Sequence, residues 1–109
     1  MEGMSYPELV QTVLAKHTEN HQSKETEKEL IFDCQRHRYL VIHVGWEGEK
    51  RNYGSMIHVD IRDGKIWIQR DFTEGGVASE LVDLGVPKTD IVLGFKPPYM
   101  RQFTDFASV

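Results

Sequence analysis

The chain has 109 residues, 39% of them apolar and 28% charged, the profile of one globular domain, spanning 1–109, with a modest core of its own. Seventeen acidic residues against thirteen basic ones give a net charge of −4. Autonomous gripping of phosphates is therefore disfavoured, since that affinity comes largely from clustered Lys and Arg.

Cys34 is the sole cysteine, which excludes an intrachain disulfide and a cysteine-built zinc site within one chain and fits a reducing cytoplasm. No run approaches the roughly 18 apolar residues of a spanning helix. Residues 1–7 lack the basic and apolar regions of an export signal, so a cytoplasmic location is expected.

Ser5 and Glu8 form a capping-box pattern with Pro7 in the first turn. Tyr6, Leu9, Val10, Val13, Leu14 and His17 then follow the spacing of an amphipathic helix, which should fade across the polar stretch 20–23. Four strand-like runs come next, at 29–34, 38–47, 52–61 and 65–70. Asp63-Gly64 predicts a tight hairpin between the last two, because its turn needs positive φ at both central positions. The other connections are also hairpin-short, so the runs make a four-stranded antiparallel meander.

The second half reads as helical. Asp71 or Thr73 can cap a helix carrying Val77, Leu81, Val82 and Leu84, which Gly85 and Pro87 end. The apolar run 91–95 is compatible with a turn of helix or an extended segment. Tyr99, Phe103 and Phe106 mark a short terminal helix. The expected fold is α+β: an N-terminal helix, a four-stranded antiparallel meander, then C-terminal helices packed on one face of the sheet.

The Asp63-Gly64 turn sets Ile61 opposite Ile66, Val59 opposite Ile68, Asp60 opposite Trp67 and His58 opposite Gln69. Ile57, Val59, Ile61, Ile66 and Ile68 then share a core face. Leu40, Ile42, Val44 and Trp46 are expected to join them. The other face would collect Tyr39, Val41, His43, Met56, His58, Asp60, Trp67 and Gln69. Aromatic and Met side chains among hydrogen-bonding groups suit a contact surface for a partner or a second copy. The competing expectation is that the terminal segment around 99–106 folds over it.

His43, His58 and Asp60 could converge there as two imidazoles and a carboxylate, a possible metal set, but half-buried histidines are common in sheets and the structural reading prevails. No nucleophile elbow or phosphate-cradling glycine loop occurs. Cys34 is expected to be a small buried hydrophobe at a strand end. Arg70 is expected at the edge of the core layer, paired to a carboxylate. No catalytic, cofactor-binding or metal residue is assigned.

Several segments carry a resemblance to a known family: Leu30-Ile-Phe-Asp, Val44-Gly-Trp, Tyr53-Gly, and the run Ile57-His-Val-Asp-Ile-Arg-Asp-Gly-Lys-Ile-Trp-Ile-Gln-Arg-Asp. Glu80-Leu-Val-Asp-Leu-Gly-Val-Pro-Lys, Asp90-Ile-Val-Leu-Gly-Phe and Arg101-Gln-Phe-Thr extend it toward the C-terminus. Together they resemble the XisI-like proteins, the fdxN element excision controlling factors. The resemblance implies a regulatory role in a cyanobacterial DNA rearrangement of heterocyst differentiation, in which a separate recombinase performs the strand chemistry. It also implies a XisH-like protein partner, and it supplies no catalytic residues.

The leading expectation is thus a non-catalytic accessory factor that contacts a XisH-like protein through the second sheet face or the C-terminal segment, with self-association at the same place. One rival is direct DNA binding by Arg36 and Arg38 acting with Lys50 and Arg51 on one edge. Another is a small metal-dependent enzyme using His43, His58 and Asp60.

Overall fold

A computed structural model describes residues 3–19 and 25–109. The first helix, α1 (Tyr6–Glu19), opens with the expected capping box: the Ser5 hydroxyl donates to Glu8 Oε1 at 3.0 Å, and the Glu8 amide donates back to Ser5 Oγ at 3.4 Å. The expected fading of the helix over 20–23 lies outside the described residues. Leu9, Val10, Val13 and Leu14 are its buried stripe.

Strands β1 (Thr26–Asp33), β2 (Arg38–Glu47), β3 (Lys50–Arg62) and β4 (Lys65–Asp71) form the antiparallel meander. Three turns close it. Asp33 accepts from the amides of Gln35 and Arg36, both at 3.0 Å, and His37 takes a positive φ of 55°. Gly48 has φ 64°, and Asp63-Gly64 has φ 50° and 74°, the positive pair its sequence predicts. After β4, helix α2 (Val77–Asp83) has Gly76 at its N-cap with no side-chain cap there, and the two foreseen capping residues instead serve its entry from further upstream. Asp71 Oδ2 accepts from the Val77 amide at 2.7 Å, and Thr73 Oγ1 accepts from the Gly76 amide at 3.1 Å. Gly85, at φ 101°, ends the helix.

The run left open at 91–95 contains a fifth strand. After a 3-10 turn (Lys88–Asp90), β5 (Ile91–Leu93) pairs parallel with β4, giving a five-stranded mixed sheet in the order β1-β2-β3-β4-β5. The α+β class stands, with one strand more than expected. The terminal helix shrinks to α3 (Pro98–Arg101), and Ala107 bridges to Val92 beyond it. No helix among the described residues is long and apolar enough to cross a membrane.

The core lies between the sheet and α1 with α2. It contains Tyr39, Val41, Ile57, Val59, Ile66, Ile68, Val77 and Leu81, all fully buried. Polar contacts hold α1 down at both ends. Tyr6 donates its hydroxyl to Asp90 Oδ2 near one end, and His17 Nε2 donates to Glu80 Oε1 at 2.8 Å near the other.

The face assignment of β2 is corrected. A strict register from the Gly48 turn would set Leu40 opposite Ile57, on the core side. Instead, β3 holds a bulge between the pairs Val41↔Ile57 and Ile42↔Ser55, leaving Met56 as the extra residue. That single residue reverses the parity, so Tyr39 faces Val59 and Val41 faces Ile57 in the core. Leu40, Ile42, Val44 and Trp46 are turned outward. Cys34 is likewise corrected: it sits exposed in the first turn.

Candidate functional site

The outer face of the sheet has two parts. One is a polar cluster at the β3–β4 hairpin, built by residues two apart on β3. His58 Nε2 donates to Asp60 Oδ1 at 2.9 Å, and Arg62 donates to Asp60 Oδ2 at 3.1 Å. Gln69 Nε2 adds a third bond to Oδ2 at 3.2 Å. Asp60 is only 3% exposed, so a carboxylate held in the sheet surface is surrounded by three donors, two of them on side chains that reach water.

Trp67 stands opposite Asp60 across the ladder. The Arg62 guanidinium lies over its ring at 5.5 Å and that of Arg101 at 5.3 Å. Arg101 is itself buried. It donates to the backbone oxygens of Lys96 at 3.0 Å and Val109 at 2.8 Å, with longer bonds to Leu93 and Gly94. The terminal segment thus reaches over the Trp67 end of the outer face. This is part of the coverage the sequence raised as the competing expectation, and it comes from α3, while α2 packs on the core side.

Of the seven candidate contact residues, His58, Asp60, Trp67 and Gln69 are brought together here. Tyr39, His43 and Met56 are not. Tyr39 is wholly buried against the helices, with an edge-to-face contact to Phe32, and burial pushes its hydroxyl pKa up. His43 shares the parity of Tyr39 and Val41 and lies opposite Gly54, on the helix-bearing side. Met56, the bulge residue, packs against the core. The set His43, His58 and Asp60 therefore straddles the sheet and cannot close on one metal ion.

A second bulge, between the pairs His58↔Arg70 and Val59↔Ile68, makes Gln69 the extra residue on β4. His58 consequently faces Arg70, where a strict register places Gln69. Arg70 leaves the core side, becomes exposed and stacks its guanidinium over Phe72 at 4.9 Å. The DNA-binding geometry is also corrected. Arg36 and Arg38 lie at one end of β2 and Lys50 and Arg51 at the other, roughly 30 Å apart for a ten-residue strand. They do not share an edge.

The other part of the outer face is apolar. Ile31 (45% exposed), Leu40, Ile42, Val44, Tyr53 (63%) and Trp46 (51%) line neighbouring positions on β1 to β3. Beside Trp46 a groove of about 450 Å³ is lined by Glu25, Glu27, Val44, Gly45, Trp46 and Arg51. The Arg51 guanidinium stacks over Trp46 and Tyr53. Phe95, Tyr99, Met100 and Phe103 are exposed on the terminal segment, Phe103 at 78%. The reading of the residues missed Arg101, although its motif was visible, because no spacing rule assigns an arginine to backbone oxygens.

No curated protein matches this chain. Among solved structures, a XisI-like protein from Anabaena variabilis is 44% identical, with a TM-score of 0.90 over 95% of this chain and 96% of that one. The fdxN element excision controlling factor XisI, also from Anabaena variabilis, is 36% identical, with a TM-score of 0.83 over the same shares of the two chains. The model of the XisI protein family matches residues 1–108. At that coverage, and with the same fold throughout, the chain belongs to the XisI protein family.

Proposed function

We propose that this chain is a non-catalytic accessory factor that controls excision of a DNA element by site-specific recombination, acting through protein–protein contact with a XisH-like partner. The observation that carries this reading is the likeness, over nearly the whole length of both chains, to a protein named as the fdxN element excision controlling factor. The chemistry of the outer face supports it. Both oxygens of Asp60 are engaged by His58, Arg62 and Gln69, an arrangement that stiffens a recognition surface more readily than it frees a base. Exposed aromatic side chains on the terminal segment, with Trp67 and His58 in the outer-face cluster, supply the kind of anchors that protein interfaces use.

The test is co-purification with a XisH-like protein. Wild-type chain should retain that protein at micromolar concentration. His58→Ala, Trp67→Ala and Phe103→Ala should weaken retention while leaving the circular dichroism spectrum unchanged. Absence of any association between the two wild-type proteins would overturn the partner assignment.

A further inference from the structure

The apolar strip of the outer sheet face has two unlike ends. At one end Glu27 and Glu29 are exposed on β1 beside Val44 and Ile42, and the groove walled by Trp46 opens next to Glu25 and Glu27. At the other end, seven residues away from Gly45 along β2, Arg38 is exposed on the same face, opposite Asp60 on β3 and Asp33 on β1, whose carboxylates are engaged by His58, Arg62 and Arg36. Between them Leu40, Ile42 and Val44 point outward from a strand whose opposite side is fully buried at Tyr39 and Val41. A strip with an aromatic-walled groove carrying Glu25, Glu27 and Arg51 at one end and Arg38 at the other is complementary to itself when reversed.

We propose that this strip is the interface of a two-fold homodimer, in which the sheets of two copies stack face to face with their β2 strands antiparallel. The alternation of β2 fixes the register. An axis crossing the strand at Ile42 sets Ile42 against its own copy, Leu40 against Val44, and Arg38 against Trp46. The Arg38 guanidinium of each copy then enters the groove of the other, with the indole of Trp46 as its wall and Glu27 as its counter-charge. Stacked sheets lie about 10 Å apart, which side chains of Leu, Ile and Val size fill. Arg51 also lines the groove, stacked over Trp46 and Tyr53, so the incoming Arg38 takes the Glu27 side. The charge at the two ends is the reason to seat a second copy here in preference to an unrelated protein. The strip adjoins the polar cluster, with Leu40 opposite His58 and Arg38 opposite Asp60, but the dimer is read from the chain alone, so its failure and that of the partner reading above are distinguishable.

Sedimentation equilibrium of the purified full chain across a micromolar dilution series tests this. The wild type should show a monomer–dimer equilibrium. Ile42→Glu, which places two carboxylates on the axis, should be monomeric throughout while keeping the wild-type melting temperature. Glu27→Lys and Arg38→Glu should each weaken the dimer about tenfold or more, and an equimolar mixture of the two should recover it. Should Ile42→Glu fail to fold, Ile42→Cys in a Cys34→Ser background replaces it. A short bis-maleimide should link two such chains through the new thiols, whereas Ser108→Cys in the same background should stay unlinked. A wild type that is monomeric at every concentration overturns the proposal, as does a dimer that survives Ile42→Glu. A monomer whose binding to the XisH-like protein is lost in Ile42→Glu also overturns it, by assigning the strip to that partner. If neither charge reversal changes the equilibrium, the antiparallel seating is wrong.

Discussion

Replacing Arg101 by Met tests the clasp that holds the terminal segment. The change keeps an unbranched side chain of similar reach but removes every donor that now serves Leu93, Gly94, Lys96 and Val109. Only the bonds at 3.0 and 2.8 Å, to Lys96 and Val109, are short enough to count fully. Hydrogen bonds with a charged member contribute about 1.5–3 kcal/mol each, and the stacking over Trp67 adds about 1 kcal/mol. Relief of the buried guanidinium's desolvation offsets part of that total. A net loss of about 3 kcal/mol is expected. At a urea slope of about 1.5 kcal/mol per molar, it lowers the unfolding midpoint by about 2 M. Arg101→Lys retains one charged donor without the fork and should lose about half as much. Hydrogen exchange localises the effect. The Ala107 amide, which donates to Ile91 at 2.9 Å, should lose protection in Arg101→Met before the β2–β3 amides do. A midpoint within 0.5 M of wild type, or an Ala107 amide still protected in a destabilised variant, would refute the clasp.

Other outcomes follow from the same geometry. A Cβ on Gly45 would stand 2.0 Å from the Glu25 carbonyl oxygen, so Gly45→Ala must peel the start of β1 from β2. Its cost should stay near 1–3 kcal/mol in urea unfolding, because only the strand end needs to open. The Tyr6 hydroxyl, which donates to Asp90, has its pKa raised from 10.0 to about 12, first by that bond and then by burial. A raised folded value means that its stabilisation is complete below pH 10 and is lost as pH rises through about 12. Tyr6→Phe should therefore cost about 1 kcal/mol at neutral pH, and the gap in urea midpoint from wild type should close over that alkaline window. Cys34, exposed in the first turn, should react with a thiol reagent in the native protein at a rate within about tenfold of the urea-unfolded chain. A rate limited by global unfolding would contradict its position.

Much of the fold is legible from local chemistry. The capping box, the helical stripe from Leu9 to Leu14, the Asp63-Gly64 hairpin and the Asp71 and Thr73 bonds at the entry of α2 all rest on residues within a few positions of one another, where the backbone preference of each residue suffices. The polar cluster was partly legible for the same reason, since His58 and Asp60 are two apart on one strand and Asp60 lies close to Trp67 across a two-residue turn. β5 was undecided because three apolar residues carry no period that separates strand from helix.

The sequence by itself determined the order and type of the long elements and the family to which the chain belongs. The tertiary structure decided which side of β2 is inside. Both parities of that strand are apolar, so alternation alone could not choose, and the choice fell to a one-residue bulge at Met56 that no propensity marks. Once α1 covers Tyr39 and Val41, the strip from Leu40 to Trp46 has to face outward. Arg101 follows the same logic: its burial against backbone oxygens exists only because Leu93, Gly94, Lys96 and Val109 converge there when the terminal segment folds back.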